Sequence, residues 1–245
     1  MKKRATRVLA MLLCLIMVAA TIAVPVAAAG NGTSTGNNVS ISDISEILNA
    51  KSYADYRNSI PSKSVGNAEV SIDVFDYEYT YTGTAPSVGV TKDYNGEENT
   101  LYIPDKGTVT WSFQIPEGGT GNYTIEIEYC QASTKANSIE RIFYINGEVP
   151  FAEARSIVLS KVWEYKYAED ENGDKTFELD SNGNDVRPTV VPVTDKDRKW
   201  VTYAISDSNG YEIHPFQFYF EQGENTISME SQREPVIIKS IKLVP

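Results

Sequence analysis

Aromatic side chains flank one polar segment of the chain, and their rings could stack on sugars. Trp163, Tyr165 and Tyr167 stand at the start of this segment, residues 164–199, and Trp200 stands where it ends. Aromatic faces pack on the apolar C–H face of a pyranose, while a few polar groups fix its orientation. These four rings are candidates for a sugar-binding platform, and we select Trp163, Tyr165 and Trp200 as candidate carbohydrate-binding residues. Packing of the segment against the rest of the protein would use the same rings, and the sequence leaves that alternative open.

The same segment supplies polar side chains that could orient sugar hydroxyl groups. Asn184, Asp185 and Arg187 stand close together in it. Amide, carboxylate and guanidinium groups form paired hydrogen bonds of defined geometry. We add these three residues to the candidate site. The other arginines with acidic neighbours are expected to form structural ion pairs, and they are Arg141, Arg155 and Arg233.

The inventory of reactive residues gives little support to catalysis. His214 is the only histidine, which excludes a zinc site built from two or three imidazoles. No G-x-S-x-G motif marks a nucleophile, and Cys130 is expected to be a small packing residue in a strand. A pair of carboxylates could serve a glycosidase, and 33 acidic residues leave that alternative open. We expect a protein that is not an enzyme.

Oxygen-rich turns raise the question of calcium. Asp170, Asn172 and Asp174 are followed by a second such group at residues 180–185. That group departs from the EF-hand loop, because Asp185 occupies the sixth position, where the loop needs glycine. Solvated turns account for these residues as well as a metal does. We predict no cofactor and leave a structural calcium open.

The N-terminus has the features of a secretory signal peptide. Four basic residues precede an apolar run, and three alanines end before Gly30, so residues 1–29 are assigned to it. Residues 30–41 are Gly, Asn, Ser and Thr almost throughout, which predicts a flexible leader. The remaining chain carries a net charge of about −15, which repels nucleic acid and anionic lipid. It contains no second apolar run of membrane length, so we expect a secreted protein.

Period-two patterns predict that a β-sandwich positions the candidate residues. A helical extension is predicted over residues 42–65, with Ser52 and Asp55 as a capping pair. From Glu69 onward apolar residues alternate with polar ones, as half-buried strands require. The alternating runs 109–115 and 123–130 are predicted to pair in one sheet. We predict an all-β antiparallel sandwich or jelly roll over residues 66–245.

Two further expectations concern the sandwich and its insertion. Trp111 falls on the inward side of its strand and is expected in the core. Residues 164–199 interrupt the strand pattern, and they are predicted to project as a hairpin closed at Asn172-Gly173. The candidate site would then be formed largely by this insertion.

Short motifs between residues 111 and 245 follow one another in a familiar order. They occupy residues 138–141, 145–147, 150–154, Trp163, 183–185 with 187–188, 207–211, 215–216, 218–220, 223–227 and 233–235. In this order and spacing the chain resembles the galactose-binding-like module found near the N-terminus of extracellular solute-binding proteins of Firmicutes carbohydrate ABC importers. The resemblance implies a galactose-binding-like sandwich outside a Gram-positive bacterium. It also implies a glycan as ligand and an ABC importer or the cell wall as a further partner.

Two departures from that family limit what the resemblance implies. Members of the family usually continue into a two-lobed solute-binding domain, and this sequence stops at Pro245. Many calcium-dependent modules of this fold carry an acidic residue in the last strand, where this sequence has Lys239. The first hypothesis is therefore non-catalytic glycan binding by an accessory domain, linked to glycan capture or sugar import. The alternative is a structural spacer or protein-docking sandwich without a sugar site.

Overall fold

The computed structural model describes residues 50–61, 64–81, 89–91, 97–193 and 199–245, with backbone alone for 89–91. The predicted signal peptide and leader lie outside the described residues, as do residues 42–49 of the predicted helical extension. Among the described residues, the structure contains no helix with the length and hydrophobicity needed to cross a membrane.

Short strands and one short helix make up the described fold. Helix α1 is Tyr53–Ser59, and a 3-10 turn, η1, is Ala152–Arg155. The strands that build the two main sheets are β1 Val70–Ile72, β2 Tyr77–Thr80, β3 Gly89–Thr91, β4 Thr100–Ile103, β5 Thr108–Ile115, β6 Gly121–Gln131, β7 Ile139–Ile145, β8 Ile157–Leu159, β15 Val201–Ala204, β16 Gln217–Phe220, β17 Gly223–Arg233 and β18 Val236–Val244. The strands of the insertion are β9 Trp163–Lys166, β10 Ala168–Glu169, β11 Lys175–Thr176, β12 Glu178–Leu179, β13 Asp185–Val186 and β14 Thr189–Pro192.

The main strands form two antiparallel sheets that enclose the core. One sheet has the strand order β2-β5-β17-β7-β8. In the other, β6 and β18 are central, β15 and β16 both pair with β6, and β4 and β1 both pair with β18, with β3 beyond β4. The predicted all-β antiparallel sandwich with a short helix is thus confirmed.

The predicted pairing of residues 109–115 with 123–130 is wrong. Strand β5 pairs with β2 and β17 in one sheet, and β6 pairs with β18, β15 and β16 in the other. The turn at residues 116–119 carries the chain across the sandwich instead of reversing it within one sheet. Alternation of apolar and polar residues shows only that a strand has one buried face. Two strands on opposite sheets of a sandwich show the same alternation as two strands paired in a hairpin, so the pattern does not identify the partner strand.

Alternate residues of the central strands fill the core, as the period-two pattern predicts. Tyr123, Ile125, Ile127 and Tyr129 of β6 are fully buried. Trp111 is buried as expected, and its Nε1 donates to the Val74 carbonyl at 3.1 Å. Burial of each such side chain stabilises the fold by about 1.5–3 kcal/mol. Cys130 is also buried in β6, which fits the packing role expected for it.

Helix α1 covers one edge of the sandwich. Its predicted cap is confirmed, because the Ser52 side chain accepts a hydrogen bond from the Asp55 N–H. The Tyr53 and Tyr56 hydroxyls accept from the backbone N–H groups of Gln217 and Tyr219, both at 2.9 Å. These N–H groups belong to β16, which has no second neighbouring strand among the described residues. The helix therefore satisfies donors that an edge strand would otherwise present to solvent.

Two buried cations stabilise the point where the chain passes from β17 to β18. Arg141 is fully buried, and its Nη atoms donate to the carbonyls of Glu140, Arg233 and Glu234 at 2.7–2.8 Å. Arg141 thus binds carbonyl oxygens in place of the carboxylate expected for it, whereas the Arg233–Glu140 ion pair is formed, at 3.6 Å. Burial lowers the pKa of Arg141 to about 10, which leaves the guanidinium charged at neutral pH.

Lys161 is the second of these cations. Its Nζ lies 3.3 Å from Glu234 Oε2 and donates to the Lys135 carbonyl at 2.8 Å. The two side chains are only 1% and 5% exposed. Desolvation raises the pKa of Glu234, but the Ser133 hydroxyl, the Lys161 charge and the Asn137 amide outweigh it, and the pKa lies below its ordinary value. The cluster therefore depends on an ionised Glu234.

Replacement of Arg141 tests the stabilising role of the buried guanidinium. Arg141→Met leaves three carbonyls without their donor, and we expect it to lower the free energy of unfolding by about 3–5 kcal/mol. The matched control is Arg233→Met, whose side chain is 62% exposed and whose loss should cost less than about 1 kcal/mol. Urea unfolding followed by fluorescence measures both. Equal stabilities of the two variants would contradict the assignment.

The lowered pKa of Glu234 predicts a dependence of stability on pH. The folded state holds Glu234 ionised more strongly than the unfolded state does, so its contribution is present at neutral pH and declines as the pH falls below about 4.5. We expect Glu234→Gln to be less stable than wild type at pH 7 and to lose less stability on further acidification. Urea unfolding at pH 7, pH 5 and pH 3.5 measures the difference. Parallel pH profiles would show that Glu234 does not titrate as described.

Candidate functional site

A two-stranded ribbon begins directly after the buried Lys161 and leads away from the main sheets. Its strands, β9 and β14, are antiparallel, with Trp163 opposite Pro192 and Tyr165 opposite Val190. Aromatic and β-branched residues favour this extended conformation, and polar residues alternate with the rings of β9. The segment predicted as an insertion thus leaves the sandwich as a β-ribbon.

The buried side chain of Gln131 binds both strands at the base of the ribbon. Its Oε1 accepts from the Val162 N–H at 2.7 Å, and its Nε2 donates to the Val193 carbonyl at 3.2 Å. The Val193 N–H in turn donates to the Val162 carbonyl at 3.1 Å. Gln131 is the last residue of β6, so the ribbon is fixed to a central strand of the sandwich. No local sequence pattern predicts this contact, because it depends on a side chain distant in sequence.

Three rings on one face of the ribbon form what we call the aromatic row: Trp163, Tyr165 and Tyr167. Trp163 and Tyr165 are two residues apart in β9, which places them on one side of the strand, and Tyr167 follows directly after β9. Their exposed fractions are 44%, 50% and 36%. The ring centroids of Tyr165 and Tyr167 are 6.3 Å apart, and the planes are inclined by 57°. The row is therefore an open, apolar and twisted surface.

The hairpin β10–β11 supports the far end of the aromatic row. The Phe177 ring contacts Tyr167 edge to face, at 5.8 Å and 67°, and Lys175 Nζ lies 5.7 Å from the Tyr167 ring centroid. One side of Tyr167 is thus occupied by the protein itself, so Trp163 and Tyr165 are the more open rings. The sequence already marks Tyr167 as a candidate platform ring. Phe177 was not among the predicted site residues, because its contact with Tyr167 depends on the hairpin register.

Closure of the first hairpin lies where the sequence predicts it, but with a different turn. Gly173 N–H donates to the Asp170 carbonyl, and Asp170 Oδ1 accepts from the Asn172 and Asp174 N–H groups at 2.8 and 2.9 Å. Only Gly173 adopts the left-handed conformation, with φ of 83°, so the turn is type I followed by a left-handed glycine. These backbone hydrogen bonds lower the pKa of Asp170.

A second hairpin, β12–β13, repeats this turn ten residues later and contains the predicted polar residues. Asp180 Oδ1 accepts from the Asn182 and Asn184 N–H groups at 2.8 and 2.9 Å, and the Asn184 amide donates to Asp180 Oδ2 at 3.1 Å. Asn184 is therefore engaged within its own turn. Asp185 lies in β13 and Arg187 just beyond it, and both are exposed. No residue cluster suited to a metal ion occurs in the described part of the chain.

Trp200 lies beside the main sheet rather than on the ribbon. It directly precedes β15, whose Val201 pairs with Tyr129 of β6. Lys239 Nζ lies 5.8 Å from the Trp200 ring centroid and binds the carboxylates of Glu97 and Glu128 at 2.8 and 3.0 Å. The two carboxylates raise the pKa of Lys239. The two predicted tryptophans thus flank the C-terminal end of β6, one on the ribbon and one on the sheet.

Several solved carbohydrate-binding modules are similar to this chain at low sequence identity. The chain is 12% identical to the family 35 module from Cellvibrio japonicus Abf62, with a TM-score of 0.39, covering 73% of this chain and 94% of that one. For the family 35 module from Paenibacillus barcinonensis the values are 12%, 0.37, 73% and 99%. For a Podospora anserina β-(1,4)-mannanase that includes such a module they are 13%, 0.37, 72% and only 27%. No family model and no curated protein matches the chain.

The role of Gln131 generates a prediction about the ribbon. Gln131→Ala removes the two hydrogen bonds at the ribbon's base, and we expect faster hydrogen exchange in peptides from residues 163–193 than in wild type. The protection of β6 and β18 should persist, because their pairing does not involve this side chain. Gln222→Ala is the matched control, since Gln222 is exposed on a turn and accepts from the Gly118 N–H. Unchanged exchange in the ribbon would contradict the role given to Gln131.

Proposed function

We propose that this chain is a secreted, non-catalytic carbohydrate-binding domain whose binding surface is the aromatic row. The observation that carries the proposal is the exposure of Trp163 and Tyr165 on a ribbon that Gln131 fixes to the sandwich. Aromatic rings stabilise a fold most when they are buried, whereas about half of each of the Trp163 and Tyr165 side chains is exposed to solvent. A ligand that covers them would recover that apolar area, and the C–H faces of sugars have the required shape and polarity.

Polar groups of the same insertion are proposed to complete the site. Asp185 and Arg187 are exposed at the second hairpin, where they could bind sugar hydroxyl groups. Asn184 would act indirectly, by fixing the turn that presents them. Trp200 remains a predicted contributor from the sheet side of the site. The assignment of these residues rests on their chemistry and on their place in the insertion.

The biological setting is part of the same proposal. The signal peptide features and the family resemblance support an extracellular or cell-surface location in a Gram-positive bacterium. An accessory role in glycan capture or sugar import follows from that resemblance, with an ABC importer or the cell wall as a further partner. Binding without catalysis agrees with the scarcity of nucleophile and general-base motifs in the sequence.

A protein-docking role is the second candidate, because aliphatic residues of the insertion are exposed as well. The exposed aliphatic residues of the insertion, unlike the buried ones of the main strands, are Leu179, Val186 and Val190. Aliphatic side chains offer no flat surface on which a sugar could stack. A protein partner would cover them together with the rings. This candidate predicts that substitution of the aliphatic residues matters as much as substitution of the rings.

Ring substitutions test the proposal directly. We expect Trp163→Ala and Tyr165→Ala each to weaken binding to a glycan identified in a panel screen by at least about tenfold, or 1.4 kcal/mol. Both rings are exposed, so the melting temperature should change little. Tyr211→Ala is the control, because Tyr211 is an exposed tyrosine on the loop between β15 and β16. Isothermal titration calorimetry with the screened glycan measures the affinities.

Two results would count against glycan binding. If the folded protein binds no glycan in a broad panel, the protein-docking role is favoured. Loss of binding in Leu179→Ala equal to that in Trp163→Ala would also indicate that the whole insertion, and not the rings alone, forms the contact.

A further inference from the structure

We infer that the aromatic row binds an internal stretch of a long, uncharged polysaccharide chain that is free to twist. The inference rests on the proposed function and specifies its ligand class. Three features of the described residues carry it: the openness of the row, the inclination of its rings and the charge of the segment around it.

The open geometry of the row favours long ligands over short ones. Trp163 and Tyr165 face outward from a ribbon that is two strands wide, so a sugar placed on one ring is covered on one side only. A single covered face offsets little of the entropy that association costs. When one polysaccharide chain contacts successive rings, each further contact adds binding free energy without a second cost of association, because that contact forms within the same complex. Affinity should therefore rise with the number of linked sugar units.

The inclination of the rings favours a single chain over a flat crystalline surface. The rings of Tyr165 and Tyr167, neighbours in the row, are inclined by 57°. Neighbouring rings of the row therefore do not lie in one plane. A flat array of parallel chains could lie on one of these rings at a time. A separate chain can rotate about its glycosidic bonds and present a face to each ring in turn.

The charge around the row disfavours acidic glycans. Residues 163–193 contain eight acidic residues and three basic ones. Lys175 is already close to the Tyr167 ring, and the acids Glu171 and Glu178 are exposed on the hairpins that follow the row. Like charges repel a polyuronate over roughly 10 Å at moderate salt. A neutral chain does not experience this repulsion.

The test compares forms of one polysaccharide that differ in length or charge only. Soluble neutral glucans, mannans and xylans are screened first, and the polymer that binds is then compared with its own disaccharide, tetrasaccharide and hexasaccharide by calorimetry. We expect about tenfold or greater tightening from disaccharide to hexasaccharide. For a hexose polymer, oxidation of the primary hydroxyls to carboxylates should weaken binding about tenfold at low salt, with partial recovery at roughly 0.5 M salt. Binding to the crystalline form of the same polymer should be weaker than to the dissolved chain.

A charge variant separates repulsion by the insertion from other effects of oxidation. Glu171→Lys should strengthen binding of the oxidised polymer and leave binding of the neutral polymer unchanged. Glu117→Lys is the matched control, because Glu117 is an exposed acid on the turn between β5 and β6. A disaccharide that binds as tightly as the polymer would overturn the length argument, and undiminished binding of the oxidised polymer would overturn the charge argument. If no neutral polymer binds and a short oligosaccharide binds instead, this inference is refuted but the proposed function is not. If no neutral polymer binds and a protein binds instead, both the inference and the proposed function are refuted.

Discussion

The buried cations at the crossing from β17 to β18 are the constraint on which the sandwich depends. Arg141 reaches from β7 to the carbonyls of Arg233 and Glu234, so one side chain joins the five-stranded sheet to the connection that leads into the other. Glu234 has a φ of 54°, a left-handed conformation that is uncommon for a residue with a side chain. The hydrogen bonds of its carbonyl to Arg141 and of its carboxylate to Lys161 hold the chain in that conformation. A buried charge is costly unless it is paired, so these groups must be satisfied together.

The same constraint reaches the candidate site. Lys161, bound to Glu234 inside the sandwich, stands two residues before Trp163. Gln131 then binds the Val162 N–H and the Val193 carbonyl, so the two strands of the ribbon start from fixed positions. Polar contacts of low exposure thus determine where an exposed apolar surface begins. Because the buried polar contacts fix the base of the ribbon, rings that contribute little to the core are still held in a defined row.

Sequence patterns predicted those parts of the protein whose cause is local. The inward alternation of β6, the burial of Trp111 and the Ser52 cap each depend on near neighbours, and all three are found. Sheet membership was predicted wrongly for β5 and β6, because alternation does not identify the partner strand. In the site, residue type and position at the start of the insertion were sufficient to single out Trp163 and Tyr165. The contacts of Phe177 with Tyr167 and of Gln131 with the ribbon depend on pairing across a hairpin and across the sandwich, so no local pattern reveals them.

Trp111 and Trp163 show why exposure, and not residue type, carries the functional argument. Both tryptophans lie in strands with alternating patterns, yet the sandwich encloses Trp111 and satisfies its Nε1 with the Val74 carbonyl. Trp163 lies on a two-stranded ribbon that pairs with no other strand among the described residues, and its side chain is 44% exposed. A buried ring is explained by the stability it provides, whereas a ring that stays in water on a fixed support has no such explanation within the fold. Because Gln131 and Lys161 fix that support, the aromatic row is presented before any ligand arrives, and binding need not bear the cost of ordering it.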